Sequence, residues 1–157
     1  MIEIERKFLV KSDAFKEQAT TQNRIVQGFL NTHPERTVRV RIRGELGFLT
    51  IKGKSNTSGT SRFEWEKEID VAAAESLLKL CEVGSIDKTR YEILIGKHTY
   101  EVDEFHKENQ GLTIAEIELS DENEIFEKPD WLGEEVTGIV KYYNSQLCKK
   151  PYSDWYV

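Results

Sequence analysis

The sequence predicts a strand-dominated α+β fold in which about eight antiparallel strands form a closed or nearly closed barrel. Three observations lead there. Eight short segments alternate ionisable and apolar residues at a period of two, as strands with unlike faces do. Turn-forming residues separate several of them, at 44–47, 55–61 and Gly96. Segments with apolar residues at helical spacing lie between them and offer cover for the apolar side of a sheet from outside, which turns the charged side inward.

The first strand, 2–10, sets Glu3, Glu5 and Lys7 on one face, with Ile2, Ile4, Phe8 and Val10 mostly on the other. A short helix is expected over 12–20, with Ser12 as its N-cap, and 24–30 reads as the second strand. The run 37–43 places Arg39, Arg41 and Arg43 against Val38, Val40 and Ile42, and 48–54 places Thr50, Lys52 and Lys54 against Leu49 and Ile51. In 62–69, Arg62, Glu64, Glu66 and Glu68 oppose Phe63, Trp65 and Ile69. A helix over 71–82 follows, with Asp70 as N-cap and Leu77, Leu78 and Cys81 on one side. Strands resume at 86–95, carrying Lys88, Arg90 and Glu92, then at 98–105, and finally at 112–119, carrying Glu116 and Glu118. The tail reads as a helix over 134–149, ending before Pro151.

At 157 residues the chain has the length of one domain, 1–157, able to bury a core without staples. The net charge of -6 argues against a nucleic-acid backbone or an anionic membrane as partner, so an anionic ligand would need a local basic pocket. No apolar run approaches the roughly 20 residues that span a bilayer and no targeting segment opens the chain, so a cytoplasmic location is expected. Cys81 and Cys148 read as reduced structural thiols, and His33, His98 and His106 lack a spacing that would converge on a metal. Trp65, Trp131 and Trp155 read as packing residues. No glycine-rich strand exit leads into a helix, which argues against a P-loop.

Any one of these strands alone fits a sheet with one side in water. Together they favour closure, which removes sheet edges and leaves an interior wide enough for side chains and one small ligand. A charged interior is tolerable only with charged contents. Glu3, Glu5, Glu116 and Glu118 suit a hard divalent cation, and Arg39, Arg41, Lys52, Arg62, Lys88 and Arg90 suit phosphate oxygens. Mg²⁺ is commonly held by one or two carboxylates plus waters and substrate phosphates, so two glutamate pairs could serve two ions. Glu64, Glu66 and Asp103 lie on charged faces, where each could orient a basic residue or a metal-bound water.

The string Glu3-Ile4-Glu5-Arg6-Lys7 resembles the opening Glu-x-Glu-x-Lys motif of the CYTH superfamily, the triphosphate tunnel metalloenzymes. The resemblance continues through Gln27-Gly28-Phe29-Leu30, Arg39-Val40-Arg41, Thr50-Ile51-Lys52-Gly53, Arg62-Phe63-Glu64, Lys88-Thr89-Arg90-Tyr91, Val102-Asp103-Glu104-Phe105 and Ala115-Glu116-Ile117-Glu118-Leu119. It reaches the tail at Trp131-Leu132-Gly133-Glu134-Glu135-Val136-Thr137 and Tyr142-Tyr143-Asn144. It implies an eight-stranded tunnel in which Lys7, Arg39, Arg41, Lys52, Arg62, Lys88 and Arg90 grip a triphosphate while Glu3, Glu5, Glu116 and Glu118 hold Mg²⁺ or Mn²⁺, with Asp103 a further candidate ligand. Lys7, Lys88, Glu116 and Glu118 are the residues expected to carry catalysis.

The compact bacterial members with a Glu-Arg-Lys-Phe string, here Glu5 to Phe8, resemble inorganic triphosphatases. The expected activity is therefore metal-dependent hydrolysis of tripolyphosphate to pyrophosphate and orthophosphate. The alternatives are nucleotide or organic triphosphate chemistry in the same tunnel, or a module that binds polyphosphate without cleaving it. A small triphosphate is the expected partner, and a homodimer is possible. Two departures from the family pattern stand out. Phe29 replaces a usual tyrosine implicated in catalysis, and Gly138-Ile139-Val140-Lys141 replaces a commonly charged pattern in a tail that could close one tunnel mouth.

Overall fold

In the computed structural model, residues 1–156 are described. Nine strands occur among them: β1 (Ile2–Val10), β2 (Thr21–Asn31), β3 (Arg36–Arg43), β4 (Leu46–Gly53), β5 (Ser61–Ile69), β6 (Ile86–Ile95), β7 (His98–Phe105), β8 (Thr113–Glu118) and β9 (Leu132–Glu135). Their order is β5-β4-β3-β2-β6-β7-β8-β1-β9, and a further pairing of β5 with β1 closes the first eight into an antiparallel barrel. The three helices are short: α1 (Phe15–Gln18), α2 (Val71–Leu78) and α3 (Asn144–Leu147).

Closure depends on how β1 shares its two edges. One edge runs along β8, with Glu5 opposite Glu118 and Lys7 opposite Glu116. The other pairs with β5 only at its start, Ile2 opposite Phe63 and Glu3 opposite Arg62. Beyond that point β9 takes over, with Phe8 opposite Glu135 and Val10 opposite Leu132. The ninth strand thus pairs backbone groups that closure of the eight leaves over, which buried amides and carbonyls require.

The apolar core lies outside the barrel wall. Phe8, Tyr91, Ile93, Tyr100, Val102, Ala115 and Ile117 point outward from β1, β6, β7 and β8, and pack against Phe15 of α1 and Trp131 and Leu132 of the following segments. Phe15 meets Tyr91 and Trp131 edge-on at centroid distances of 5.3 and 5.9 Å, a favourable aromatic geometry. A second cluster, Ile86, Phe105, Leu112, Ile114 and Leu147, sits under α3 at one end of the barrel. Each such side chain contributes roughly 1.5–3 kcal/mol on full burial. Outside burial therefore supplies the driving force, and the inward face is left to charge.

Three helical expectations need correction. The helix read over 12–20 is a single turn, because Phe15 is fully buried in the outer core and pairing of Thr21 with Glu92 draws the chain into β2. Ser12 is not its N-cap; its hydroxyl accepts from the Ala14 amide at 3.3 Å. The helix read over 134–149 is β9, a 3₁₀ turn at Val140–Tyr142 and the one-turn α3. The free edge of β1 outcompetes helix formation there: the Val136 amide donates to the Lys7 carbonyl, and the Lys7 amide donates to Thr137 Oγ1 at 2.9 Å. The helix read over 71–82 ends at Leu78, and Cys81 lies in the turn beyond it.

Gly138 then turns the chain at φ +78°, and its backbone lies against Gly59, also at φ +78°, in the loop between β4 and β5. A Cβ on Gly138 would sit 2.8 Å from the Ser58 carbonyl oxygen. Gly138→Ala is expected to cost at least about 1–2 kcal/mol from the left-handed backbone alone. Urea unfolding checks this, and an unchanged midpoint would contradict the close approach.

Candidate functional site

Alternation along the strands fills the barrel interior. From β1 come Glu3, Glu5 and Lys7; from β3 Arg39, Arg41 and Arg43; from β4 Thr50 and Lys52; from β5 Arg62, Glu64 and Glu66. Lys88 and Arg90 of β6, Glu101 of β7, and Glu116 and Glu118 of β8 complete the ring around a cavity of about 250 Å³. All the sequence-derived candidates line this space except Asp103, which lies behind Lys88 and Arg90 in the wall. Phe29 lines the cavity without a hydroxyl to offer.

The two signs of charge are largely segregated: Glu3, Glu5, Glu116 and Glu118 gather on β1 and β8, and guanidinium and ammonium groups on β3, β4 and β6, with Glu64, Glu66 and Glu101 interleaved among the cations and Lys7 beside the carboxylates. Lys52 bridges the two sets, with Nζ 3.0 Å from Glu3 and 3.2 Å from Glu64. Glu66 stands between Arg39 and Arg41 at 3.4 and 3.5 Å, and accepts from Thr50 Oγ1 at 2.7 Å. These contacts do not satisfy the arginines: Nε of Arg39 and Nε of Arg41 are both buried without a hydrogen-bond partner. Burial, then the neighbouring Arg39 and Arg90, push Arg41 down to about 9. A guanidinium stays protonated at neutral pH, so this depression measures a positive charge in need of an anion.

Asp103 has a different place. Its carboxylate takes Arg90 Nε at 2.7 Å and NH2 at 2.9 Å, and also Lys88 Nζ at 2.8 Å. Burial works against the Arg90 charge, but Asp103 and Glu101 outweigh it and raise the group well above its usual value. Full burial, then the nearby Arg90, outweigh the Asp103 carboxylate at Lys88 and push it down to about 8. Both Lys88 and Asp103 are 1% exposed. The bidentate geometry fixes the plane of Arg90 and, through it, the direction in which the basic wall faces.

The acidic wall has the opposite deficit. Glu5 is raised well above the carboxylate range by burial and then by Glu116 and Glu3. Burial also works against Glu116, but Lys7 and a hydrogen bond from Glu5 hold it well below. Glu118 is raised by burial and by Glu3 and Glu101. Among the described residues no three His, Cys, Asp or Glu side chains are already gathered as a metal cage. The donor set instead fits a hard divalent cation bound through one or two carboxylates and completed by water and phosphate oxygens.

One end of the barrel is crossed by the tail. Tyr143, Asn144 and Ser145 line the cavity there. The Lys7 ammonium lies 5.1 Å from the Tyr143 ring centroid, and the Arg62 guanidinium carbon 5.8 Å from it, within cation–π range. Sequence reading missed these tail residues because a helical reading gives them no inward face. Arg43 and Glu101 were recoverable, since they continue the alternation through Arg39-Arg41 and share a face with Asp103.

Asp103→Ala is expected to destabilise the protein by about 3–5 kcal/mol, because it leaves Lys88 and Arg90 buried without their shared carboxylate. Chemical unfolding reads this directly, and a loss under about 1 kcal/mol would contradict the anchoring geometry.

The CYTH domain model matches residues 1–150. An inorganic triphosphatase from Acetivibrio thermocellus is 49% identical over 154 residues, 98% of this chain and 97% of the relative. One from Nitrosomonas europaea is 36% identical over 153 residues, covering 94% and 97%. A crystal structure of an inorganic triphosphatase superposes with a TM-score of 0.66 at 33% identity, over 93% of this chain and 97% of that one. With its closed barrel, ionised interior and near full-length match, this chain belongs to the CYTH domain family.

Proposed function

We infer that this protein is an inorganic triphosphatase: it hydrolyses tripolyphosphate to pyrophosphate and orthophosphate inside the barrel. The observation that carries the reading is the segregated interior, in which buried arginine Nε groups lack acceptors on one side and mutually repelling carboxylates face them on the other. A small polyanion with a divalent cation answers both deficits, and a cavity of about 250 Å³ suits a short chain of phosphates. Near full-length similarity to two inorganic triphosphatases supports the same substrate class. We read the whole chain, 1–157, as one functional unit; Val157 lies outside the described residues.

The residue roles follow from position. Arg39, Arg41, Lys52, Arg62, Lys88 and Arg90 bind and align the phosphates, and Lys7, opposite Glu116 across β1 and β8, stands where the basic and acidic sets meet. Glu116 and Glu118 form one carboxylate pair for metal and Glu3 and Glu5 the other. Metal dependence is general in the family; Mg²⁺ or Mn²⁺ bound here would neutralise phosphate oxygens and polarise the attacking water. The water oxygen bonds to a terminal phosphorus, the bridging P–O bond breaks, and pyrophosphate leaves. Phosphoryl transfer needs mostly alignment and charge neutralisation, which a preformed ring of cations supplies. We assign Asp103, with its oxygens already committed to Arg90 and Lys88, to holding those cations rather than to metal. No described helix is long and apolar enough to cross a membrane, and we propose a cytoplasmic enzyme.

The test is phosphorus NMR on metal-stripped protein given tripolyphosphate and ATP together, followed by Mg²⁺ or Mn²⁺. Orthophosphate and pyrophosphate should form from tripolyphosphate with ATP intact, and Glu116→Gln should slow this by at least about 100-fold while the barrel stays folded. Cyclic AMP, or an organic product, would reassign the tunnel to nucleotide chemistry. Saturable binding without turnover would make it a polyphosphate-binding module.

A further inference from the structure

Beyond the charged ring, Asn144 in the tail makes polar contacts that no role described so far requires. Asn144, the first residue of α3, places its side-chain carbonyl 3.0 Å from Lys88 Nζ and 3.2 Å from Gln27 Nε2. Lys88 has only donors, so Asn144 Oδ1 must be the acceptor, and Gln27 must then turn its own amide nitrogen toward the same oxygen. That orientation leaves Gln27 Oε1 buried without a donor in a residue that is 0% exposed. Leaving a buried carbonyl unpaired is costly, and in this arrangement Asn144 Oδ1 is held from two sides, by Gln27 and by Lys88.

We propose that Asn144 is a positioning residue of the triphosphate site, locking the Lys88 ammonium between its own carbonyl and Asp103 so that the remaining N–H of Lys88 is aimed at substrate phosphate. An ammonium has three donors. Asp103 Oδ2 takes one at 2.8 Å and Asn144 Oδ1 a second at 3.0 Å. The third is left for the cavity that Lys88 lines. Without Asn144 the flexible lysine stem is restrained by Asp103 alone and collapses onto that carboxylate.

The same contact ties the tail to the phosphate grip. Leu147, one turn on, is anchored in the cluster with Ile86 and Phe105, and the preceding Tyr143 ring faces Lys7 on the other side of the cavity. Phosphate binding at Lys88 therefore stiffens α3, since the ammonium can satisfy the anion and Asn144 at once. This inference rests on the triphosphate reading of the tunnel, and its test reads binding rather than turnover so that the two can fail separately.

The experiment is a double-mutant cycle on tripolyphosphate affinity, measured by calorimetry in chelator-treated buffer with full-length protein. Asn144→Ala should weaken binding about tenfold, as loss of a charge-assisted hydrogen bond does. Lys88→Met should weaken it further, and adding Asn144→Ala to Lys88→Met should change affinity less than twofold. Unchanged affinity in Asn144→Ala, or the same tenfold loss with and without Lys88, would overturn the proposal, the latter because it is what a merely structural end-plug gives. Wild-type binding here, together with no turnover once Mg²⁺ or Mn²⁺ is supplied in the phosphorus NMR assay, would sink the hydrolase reading and leave this one standing; no binding by the wild type would sink both. Should Asn144→Ala fail to fold, hydrogen exchange on the wild type decides: the amides of 144–148 should exchange more slowly with saturating tripolyphosphate, and unaltered exchange would count against the coupling.

Discussion

A closed barrel lined with ionised side chains cannot draw its stability from its own interior, and the rest of the structure follows from that constraint. Desolvated charges are tolerated only when paired, hydrogen-bonded or shared with a ligand. Here the apolar residues of β1, β6, β7 and β8 are turned outward and covered by Phe15, Trp131 and Leu132, so the wall is clamped from outside while its inner face stays polar. The buried Asp103 is the internal exception: both its oxygens are committed to Arg90 and Lys88, and it sets the direction of the basic wall. Elsewhere inside pairing is partial, with Glu66 shared between two arginines and Lys52 between two glutamates.

This partial pairing distinguishes a binding site from a structural ion network. Were the interior built only for stability, each guanidinium would have its full set of acceptors. Instead Arg39 and Arg41 keep a buried Nε without one, and burial holds both below their usual value, Arg41 at about 9. On the acidic side burial and then the neighbouring Glu116 and Glu3 raise Glu5, while Lys7 and a hydrogen bond from Glu5 hold Glu116 down against its burial. The electrostatic deficit is thus preorganised: the protein bears the cost of arranging like charges, and a polyphosphate with its metal relieves it on binding.

Much of this was legible in the sequence, because strand alternation is a local property. The bounds of 2–10, 86–95 and 98–105 coincide with β1, β6 and β7, and each inward-facing residue could be read from its parity along the strand. The tail was not legible for the opposite reason. Leu132 to Thr137 takes its conformation from the free edge of β1, and Gly138 from its contact with Gly59, both distant in sequence. Asp103 shares a face with Glu101, so parity placed it in the charged set, but its commitment to Arg90 and Lys88 is a cross-strand register effect that spacing alone does not reveal. Asn144 and Tyr143 belong to a family-like string in a tail expected to close one tunnel mouth, but a helical reading of that tail does not say which of its side chains line the cavity.

The central claim is that the basic wall is held in an unfavourable charge state for the sake of an anion. The most direct measurement is the unfolding free energy of Arg41→Met, with and without tripolyphosphate. Removing a buried, half-paired guanidinium should leave the ligand-free protein as stable as the wild type or more so, while abolishing most of the stabilisation that ligand gives the wild type. A substantial loss of ligand-free stability, with ligand-induced stabilisation retained, would show Arg41 to be a structural ion pair and would contradict the account.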